Sequence, residues 1–270
     1  MKELKQYKLI LKMLLPLWLV FTFATSSNAK GINDNEVKGK VLIIISSDQH
    51  GFWLPEVVEP YKLLEQAEFE IDIASPKGGK GIASGSSRLS GKDSNWFKQS
   101  SLPEKLEQSI ELKQVISRQY RAVYFAGGAG PMFDLVENQE AQRVTREIYE
   151  NGGIISADCH GPAALINVKL SDGSRLISGR KLTAKANIEE GRWAKNNYPF
   201  LLEDKIVSLG GIYTSAAKGK EHVIVDGRLI TGQNPASAAP MTKALILHLT
   251  PKEKHPAYEI QNSLSKVTVI

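Results

Sequence analysis

Four strand-like segments, each separated from the next by a stretch with helical spacing, constrain this chain more than any other feature. Val41-Leu42-Ile43-Ile44-Ile45 is a continuous apolar run with no polar residue to face water. Such a run suits a strand covered on both faces, as in a parallel sheet. Glu70 to Ala74, Ala122 to Ala126, and Ile154-Ile155-Ser156-Ala157 read as three more strands. Between them, Pro55 to Gln66 carries an apolar stripe at Val57, Val58, Tyr61 and Leu64, with proline near the start of the helix. Pro103 to Ser117 and Asn138 to Asn151 read as further helices, the second closed by Gly152-Gly153. Strand and helix in alternation predict a three-layer α/β/α sandwich around a mainly parallel sheet.

The remaining segments fit that frame. Residues 77–101, rich in glycine, serine and lysine, read as a long loop. Pro162 to Asn167 starts a helix. Val223-Ile224-Val225 and Leu229-Ile230-Thr231 flank Asp226-Gly227, a hairpin signature. Asn234-Pro235 opens a last helix, Ala236 to Leu249. No internal repeat is present.

The ends of the chain read differently. Lys2, Lys5, Lys8 and Lys12 accompany an apolar run from Leu9 to Ala24, followed by Ser27-Asn28-Ala29. This is the pattern of a secretory signal peptide over residues 1–29, cut after Ala29. Its uninterrupted apolar stretch, Met13 to Ala24, is short against the roughly 20 residues of a membrane span. The expected protein is exported, periplasmic or secreted, with no stable membrane association after cleavage. Residues 30–38 read as a disordered linker, 39–250 as the folded domain and 251–270 as a polar tail. The charge follows this division. Of a formal +5, residues 1–29 carry a net of three positive charges, so the rest is nearly neutral. A nearly neutral domain has no electrostatic footprint for nucleic acid.

The chemistry concentrates at one junction. Ala157-Asp158-Cys159-His160-Gly161-Pro162 joins a buried strand to a helix start, the layout of a nucleophile elbow. Cys159 is the sole cysteine, so no internal disulfide can form. At a strand's carboxyl end a sharp turn would lift its sulfur into the ligand-binding crevice. A helix N-terminus behind it would lower the thiol pKa. Buried inert cysteines are common, but such a cysteine has no need of His-Gly-Pro directly after it. Gly127-Gly128-Ala129-Gly130, after another parallel strand, could supply a further oxyanion N–H. Glu56, in the first turn of its helix, could simply complement the helix dipole.

Other leads fail on spacing. Five residues, not four, separate Gly85 from Gly91-Lys92, and Asp93 stands where a phosphate-binding loop needs Ser or Thr. The five histidines, His50, His160, His222, His248 and His255, form no metal-binding pair. No metal and no cofactor is expected, with His50, near Glu56 in the sequence, the one histidine that a metal could recruit.

The motif Ala157-Asp158-Cys159-His160-Gly161-Pro162-Ala163-Ala164-Leu165 resembles the nucleophile segment of the PfpI-like superfamily, relatives of class I glutamine amidotransferases. Trp53-Leu54-Pro55-Glu56, Ala74-Ser75-Pro76-Lys77-Gly78-Gly79, Gly130-Pro131-Met132-Phe133-Asp134 and Thr231-Gly232-Gln233-Asn234-Pro235-Ala236-Ser237 resemble that family too. The resemblance spans roughly residues 40–250 and is nearest the glyoxalase III, or D-lactate dehydratase, and chaperone branch. It implies a flavodoxin-like fold of the class I glutamine amidotransferase type. It implies that Cys159 is the nucleophile, His160 its partner, and Glu56 a carboxyl that hydrogen-bonds the sulfur. The third triad member would be Glu190, with Glu189 in reserve, and Gly128 and Ala129 would border the substrate. The implied reaction is cofactor-independent conversion of a small 2-oxoaldehyde, methylglyoxal to D-lactate, with a small carbonyl compound as partner and a homodimer allowed. A holdase chaperone or stress protein, or a cysteine redox sensor, is the alternative on the same fold. One departure stands out: the glyoxalase branch typically carries Gly-Gly-His-Gly where this chain has Gly128-Ala129-Gly130, so the backbone donors survive without an imidazole.

Overall fold

The computed structural model describes residues 39–250. The signal-peptide, linker and tail expectations for 1–29, 30–38 and 251–270 fall outside the described residues.

The apolar runs form the sheet they predict. Seven strands, β1 (Lys40–Ile44), β2 (Glu70–Ser75), β3 (Ile110–Glu111), β4 (Tyr120–Phe125), β5 (Ile154–Asp158), β6 (Val223–Asp226) and β7 (Leu229–Gly232), lie in the order β6-β7-β5-β4-β1-β2-β3. All neighbours are parallel except the β6–β7 hairpin, where Asp226 faces Leu229 across Gly227 at φ +59°.

Burial on both faces explains why β1 has no polar alternation. Val41, Ile43 and Ile45 pack with α1 (Pro55–Gln66) and with the last helix. Leu42 and Ile44 point the other way, into the core that includes Val144 and Ile148. Those two residues belong to the helix Gln139–Glu150, whose N-terminus is capped by the Asn138 side chain accepting from the Ala141 N–H. Fully burying such side chains stabilises a fold by roughly 1.5–3 kcal/mol each.

Several segments depart from the pattern read in the sequence. The stretch 77–101 is not all loop: α2 (Gly91–Gln99) occupies much of it. Ser90 caps that helix, accepting from the Asp93 N–H at 3.1 Å and donating to the Asp93 carboxylate at 2.6 Å. Ser90 and Asp93 form a capping pair. The Asp93 that spoils a phosphate-loop match is therefore a helix start signal.

The helix expected over 103–117 ends early. It runs only as α3 (Leu102–Glu107), and the chain turns back so that Ile110 and Glu111 pair with Ala74 and Ser75 as the edge strand. Sheet pairing overrides local helix propensity here. The segment after Cys159 is a 3-10 turn, Gly161–Leu165, not an α-helix. In the second half of the chain, α4 (Pro131–Asp134), α5 (Gln139–Glu150), α6 (Arg192–Asn197), α7 (Leu202–Ser208) and α8 (Ala238–Leu249) complete the helices. The last starts two residues later than Ala236, behind a 3-10 turn at Pro235–Ser237. Helices α6 and α7 are short and lie where no periodic pattern marks them. Among the described residues no helix is long and apolar enough to cross a membrane.

Candidate active site

The carboxyl ends of β1, β4 and β5 lie side by side, so the loops that follow them meet at one edge of the sheet. Cys159 sits at the end of β5 with φ +52°, a left-handed conformation that non-glycine residues seldom adopt. Two contacts hold this turn. The Cys159 N–H donates to the Gly232 carbonyl at 3.0 Å, and the Lys185 N–H donates to the Cys159 carbonyl at 2.7 Å.

Two glycines leave room for the turn. A Cβ on Gly161 would stand 2.2 Å from the Phe125 carbonyl oxygen. A Cβ on Gly127 would stand 2.4 Å from Glu56 Oε2 and 2.6 Å from Cys159 Cβ. The glycine loop is thus what allows Glu56 and Cys159 to approach one another.

His160 and Glu190 complete a relay. Cys159 Sγ lies 3.6 Å from His160 Nδ1, and His160 Nε2 lies 2.8 Å from Glu190 Oε1. All three residues are buried. A carboxylate only accepts, so Nε2 carries the proton and Nδ1 turns its lone pair to the sulfur. The relay can take the thiol proton and hold the resulting imidazolium against Glu190.

Glu189 is separate from this relay. Its Oε1 accepts from the Gly219 N–H at 2.6 Å and the Asn234 amide at 2.9 Å, and its Oε2 faces Lys185 Nζ at 3.5 Å. Burial works to raise its pKa, yet the Gly219 N–H, Lys185 and Asn234 hold it below the ordinary range.

Glu56 is more than a carboxylate at a helix start. It is fully buried at the first turn of α1, and neither carboxyl oxygen completes a hydrogen bond. Burial raises its pKa from 4.5 to about 8, against the pull of Cys159, Lys185 and the Gly127 N–H. At neutral pH the carboxyl keeps its proton and faces the sulfur as a donor. Asp158, next in the chain to the cysteine, is also fully buried, and burial followed by the nearby Glu56 pushes its pKa well up.

Burial likewise pushes the Cys159 thiol well up, with carboxylate charge on Glu56 or Asp158 adding to it. This corrects the expectation of a thiol lowered by a helix N-terminus. Only a five-residue 3-10 turn follows, too short to build much of a dipole, and the sulfur is shielded from water. What favours the thiolate instead is local: Lys185, the Gly128 N–H and the neighbouring His160 base.

A cleft of about 430 Å³ opens above the sulfur. Gly128 and Ala129 form part of its floor, as the sequence reading placed them, beside Cys159 and His160. Its walls add Lys185, Trp193 and Tyr198, which sequence reasoning passed over, together with His50 and Trp53, which it had named without placing them at the substrate. The one signal for Lys185 was its place four residues before Glu189, the spacing of an ion pair. Trp193 lies in the first turn of α6 and Tyr198 follows its last residue, and no pattern announced that helix.

Residues 39–247 match the DJ-1/PfpI family. Glutathione-independent glyoxalase HSP31 of Saccharomyces cerevisiae is 30% identical over 200 residues, covering 70% of this chain and 84% of that relative. Glutathione-independent glyoxalase hsp3102 of Schizosaccharomyces pombe is 26% identical over 235 residues, covering 77% and 97%. Among solved structures, the Rapid Encystment Protein of 24 kDa from Francisella tularensis superposes with a TM-score of 0.74 at 33% identity, covering 79% of this chain and 100% of its own. Glyoxalase III from Candida albicans superposes with a TM-score of 0.73 at 24% identity, covering 78% and 97%, a likeness of fold.

Proposed function

This chain belongs to the DJ-1/PfpI family, and from that premise we propose that it is a cofactor-independent cysteine enzyme, a glutathione-independent glyoxalase of the glyoxalase III or D-lactate dehydratase type that converts methylglyoxal to D-lactate. The observation that carries this reading is the buried Cys159–His160–Glu190 relay at the floor of the cleft, with the protonated Glu56 carboxyl behind the sulfur. The names of its relatives support the substrate class.

The reaction follows from those positions. The Cys159 sulfur adds to the aldehyde carbon C1 as His160 Nδ1 takes the thiol proton. The N–H groups of Gly128 and Ala129 receive the developing oxyanion, which then regains the proton, giving a hemithioacetal. The C1 hydrogen leaves as a proton, its electron pair forms the C1–C2 double bond, and the C2 carbonyl oxygen becomes an enolate oxygen. The C1 hydroxyl proton passes to that oxygen as the C1 carbonyl forms, and the double-bond pair takes a proton at C2, giving a thioester of the 2-hydroxy acid. Water then adds to the thioester carbonyl, the thiol departs, and lactate is released. One carbon is oxidised and its neighbour reduced, so no external oxidant or reductant enters.

The test is methylglyoxal turnover without glutathione, followed by the appearance of D-lactate. Glu190→Gln should lower kcat by about 10²–10⁴, since a neutral amide neither fixes the His160 tautomer nor stabilises its imidazolium. Unchanged kcat in that variant would remove Glu190 from the relay.

We also propose that the chain is exported and begins at Lys30 after cleavage, on the basic n-region, apolar core and Ser27-Asn28-Ala29. Mass spectrometry of protein from its native cells is expected to give Lys30 as the first residue. An intact Met1 would reject the proposal.

A further inference from the structure

His160 has one nitrogen for the sulfur and one for Glu190. Once the oxyanion has regained the thiol proton, His160 Nδ1 is free again, but it stands at the sulfur and the C1 oxygen, where it still has the C1 hydroxyl proton to carry. Glu56 keeps its own proton at neutral pH, so it is a donor there. The proton that must move from C1 to C2 therefore needs another acceptor at the cleft.

The loop after β1 supplies one. His50 lines the same cleft as Cys159. Its Nδ1 lies 2.5 Å from Asp48 Oδ1, which also accepts the His50 backbone N–H at 2.8 Å. Because the carboxylate only accepts, Nδ1 carries the hydrogen and Nε2 holds the free lone pair. No hydrogen bond within the described residues engages that Nε2.

The loop that carries this pair is braced from below. Ser46 Oγ accepts the Asp48 N–H at 2.9 Å and donates to Asp134 Oδ1 at 2.8 Å. The Ser47 N–H donates to Asp134 Oδ2 at 2.7 Å, and the Gly130 N–H donates to the Gly51 carbonyl at 2.8 Å. The last bond ties the His50 loop directly to the glycine loop beside Cys159.

Rings fix the orientation. The His50 ring stacks on Phe133 with centroids 4.3 Å apart and an interplanar angle of 24°. A chain of rings then leads across the cleft: His50 to Trp193 at 5.4 Å, Trp193 to Tyr198 at 5.6 Å, and Tyr198 to His160 at 5.1 Å. In the sheet order β5-β4-β1, the His160 and His50 loops flank the glycine loop of β4 on its two sides. A substrate bound through C1 to the sulfur would lie between two imidazole–carboxylate pairs.

We propose that Asp48 and His50 form a second acid–base pair in which His50 Nε2 moves the proton between C1 and C2. The inference rests on the glyoxalase reading above. In the hemithioacetal, His50 Nε2 takes the C1 hydrogen as a proton. The C1–H electron pair becomes the C1–C2 double bond, and the C2 carbonyl oxygen becomes an enolate oxygen. His160 carries the C1 hydroxyl proton to that C2 oxygen as the C1 carbonyl forms, and the double-bond pair takes the proton from His50 at C2. The imidazolium formed in between is stabilised by Asp48. Protons taken and returned balance, and no electron is lost.

The division of labour predicts a distinct signature. His160 acts at sulfur and oxygen, and His50 acts at carbon. Replacing His50 should slow the carbon step and leave the thiol's own reactivity alone.

The test uses the full chain and His50→Phe, which keeps a flat ring against Phe133 and Trp193 but has no base. With methylglyoxal as substrate, kcat is expected to fall by about 10²–10⁴ while KM moves by no more than about threefold. The alkylation rate of Cys159 by iodoacetamide should match that of the unsubstituted protein, which also reports that the site is folded. Deuterium at C1 of methylglyoxal should give a larger isotope effect on kcat in the variant, because proton removal from carbon becomes the slow step. A wall residue that only packs would not shift that isotope effect. If the unsubstituted protein forms lactate and His50→Phe forms it with the same kcat and isotope effect, the second pair is rejected and the glyoxalase reading stands. If the unsubstituted protein forms no lactate, both fall together.

Discussion

Cys159→Ser is expected to reduce methylglyoxal turnover by at least about 10³-fold while leaving the protein folded. A hydroxyl is far less acidic than a thiol. His160 Nδ1, 3.6 Å from the sulfur, cannot generate comparable nucleophile from it. Ser is close to Cys in size, and the turn is held by backbone bonds from Cys159 to Gly232 and Lys185 that do not involve the side chain. The left-handed φ of residue 159 is the same strain for either residue. Turnover, D-lactate yield and a thermal melt together decide the matter. Retained turnover in Cys159→Ser would mean that the elbow does not carry the chemistry. Loss of turnover with undiminished suppression of client aggregation would separate any holdase activity from the thiol.

Glu56→Gln should change how stability responds to pH more than any surface substitution could. The carboxyl titrates near 4.5 in an unfolded chain and at about 8 in the fold. A raised folded value means that the fold holds a proton which the unfolded chain has already released. The stabilising effect is complete below the unfolded value and is lost as pH rises toward the folded value. Between pH 5 and pH 8 the unsubstituted protein should therefore lose about 3–4 kcal/mol relative to Glu56→Gln, which carries no titrating group at that position. Urea midpoints of both proteins across that range measure it. Curves that run parallel would place the Glu56 proton elsewhere, and with it the donor that faces the sulfur.

The sequence carried the architecture because burial leaves a direct trace in it. A strand covered on both faces must be apolar throughout, and Val41 to Ile45 says so without any partner in view. Asp226-Gly227 announces its hairpin because few other residues take the backbone angles of that turn. The elbow was legible for a similar reason: Cys159-His160-Gly161-Pro162 at the end of a strand leaves little conformational choice. Short elements gave no such trace. The pairing of Ile110 and Glu111 exists only because an edge of the sheet waits for them. The capping pair of Ser90 and Asp93 was visible, but in a stretch whose composition pointed to loop.

At the site, the sequence by itself determined which cysteine ends the strand, its adjacent imidazole and the strand–turn geometry that presents them. Contacts between residues distant in the chain were decided by the tertiary structure alone. Two neighbouring glutamates look alike in sequence, yet Glu190 reaches His160 while Glu189 turns to Lys185, Gly219 and Asn234. Glu56 looks like an ordinary charge at a helix start until the sheet brings it against Gly127 and Cys159 and takes away its water. His50 is one histidine among five until the β1 loop sets it beside Asp48 at the cleft. The physical reason is common to all three. Local geometry is fixed by the backbone preferences of neighbouring residues, but protonation and partnership depend on solvent exclusion and proximity, and folding alone supplies those.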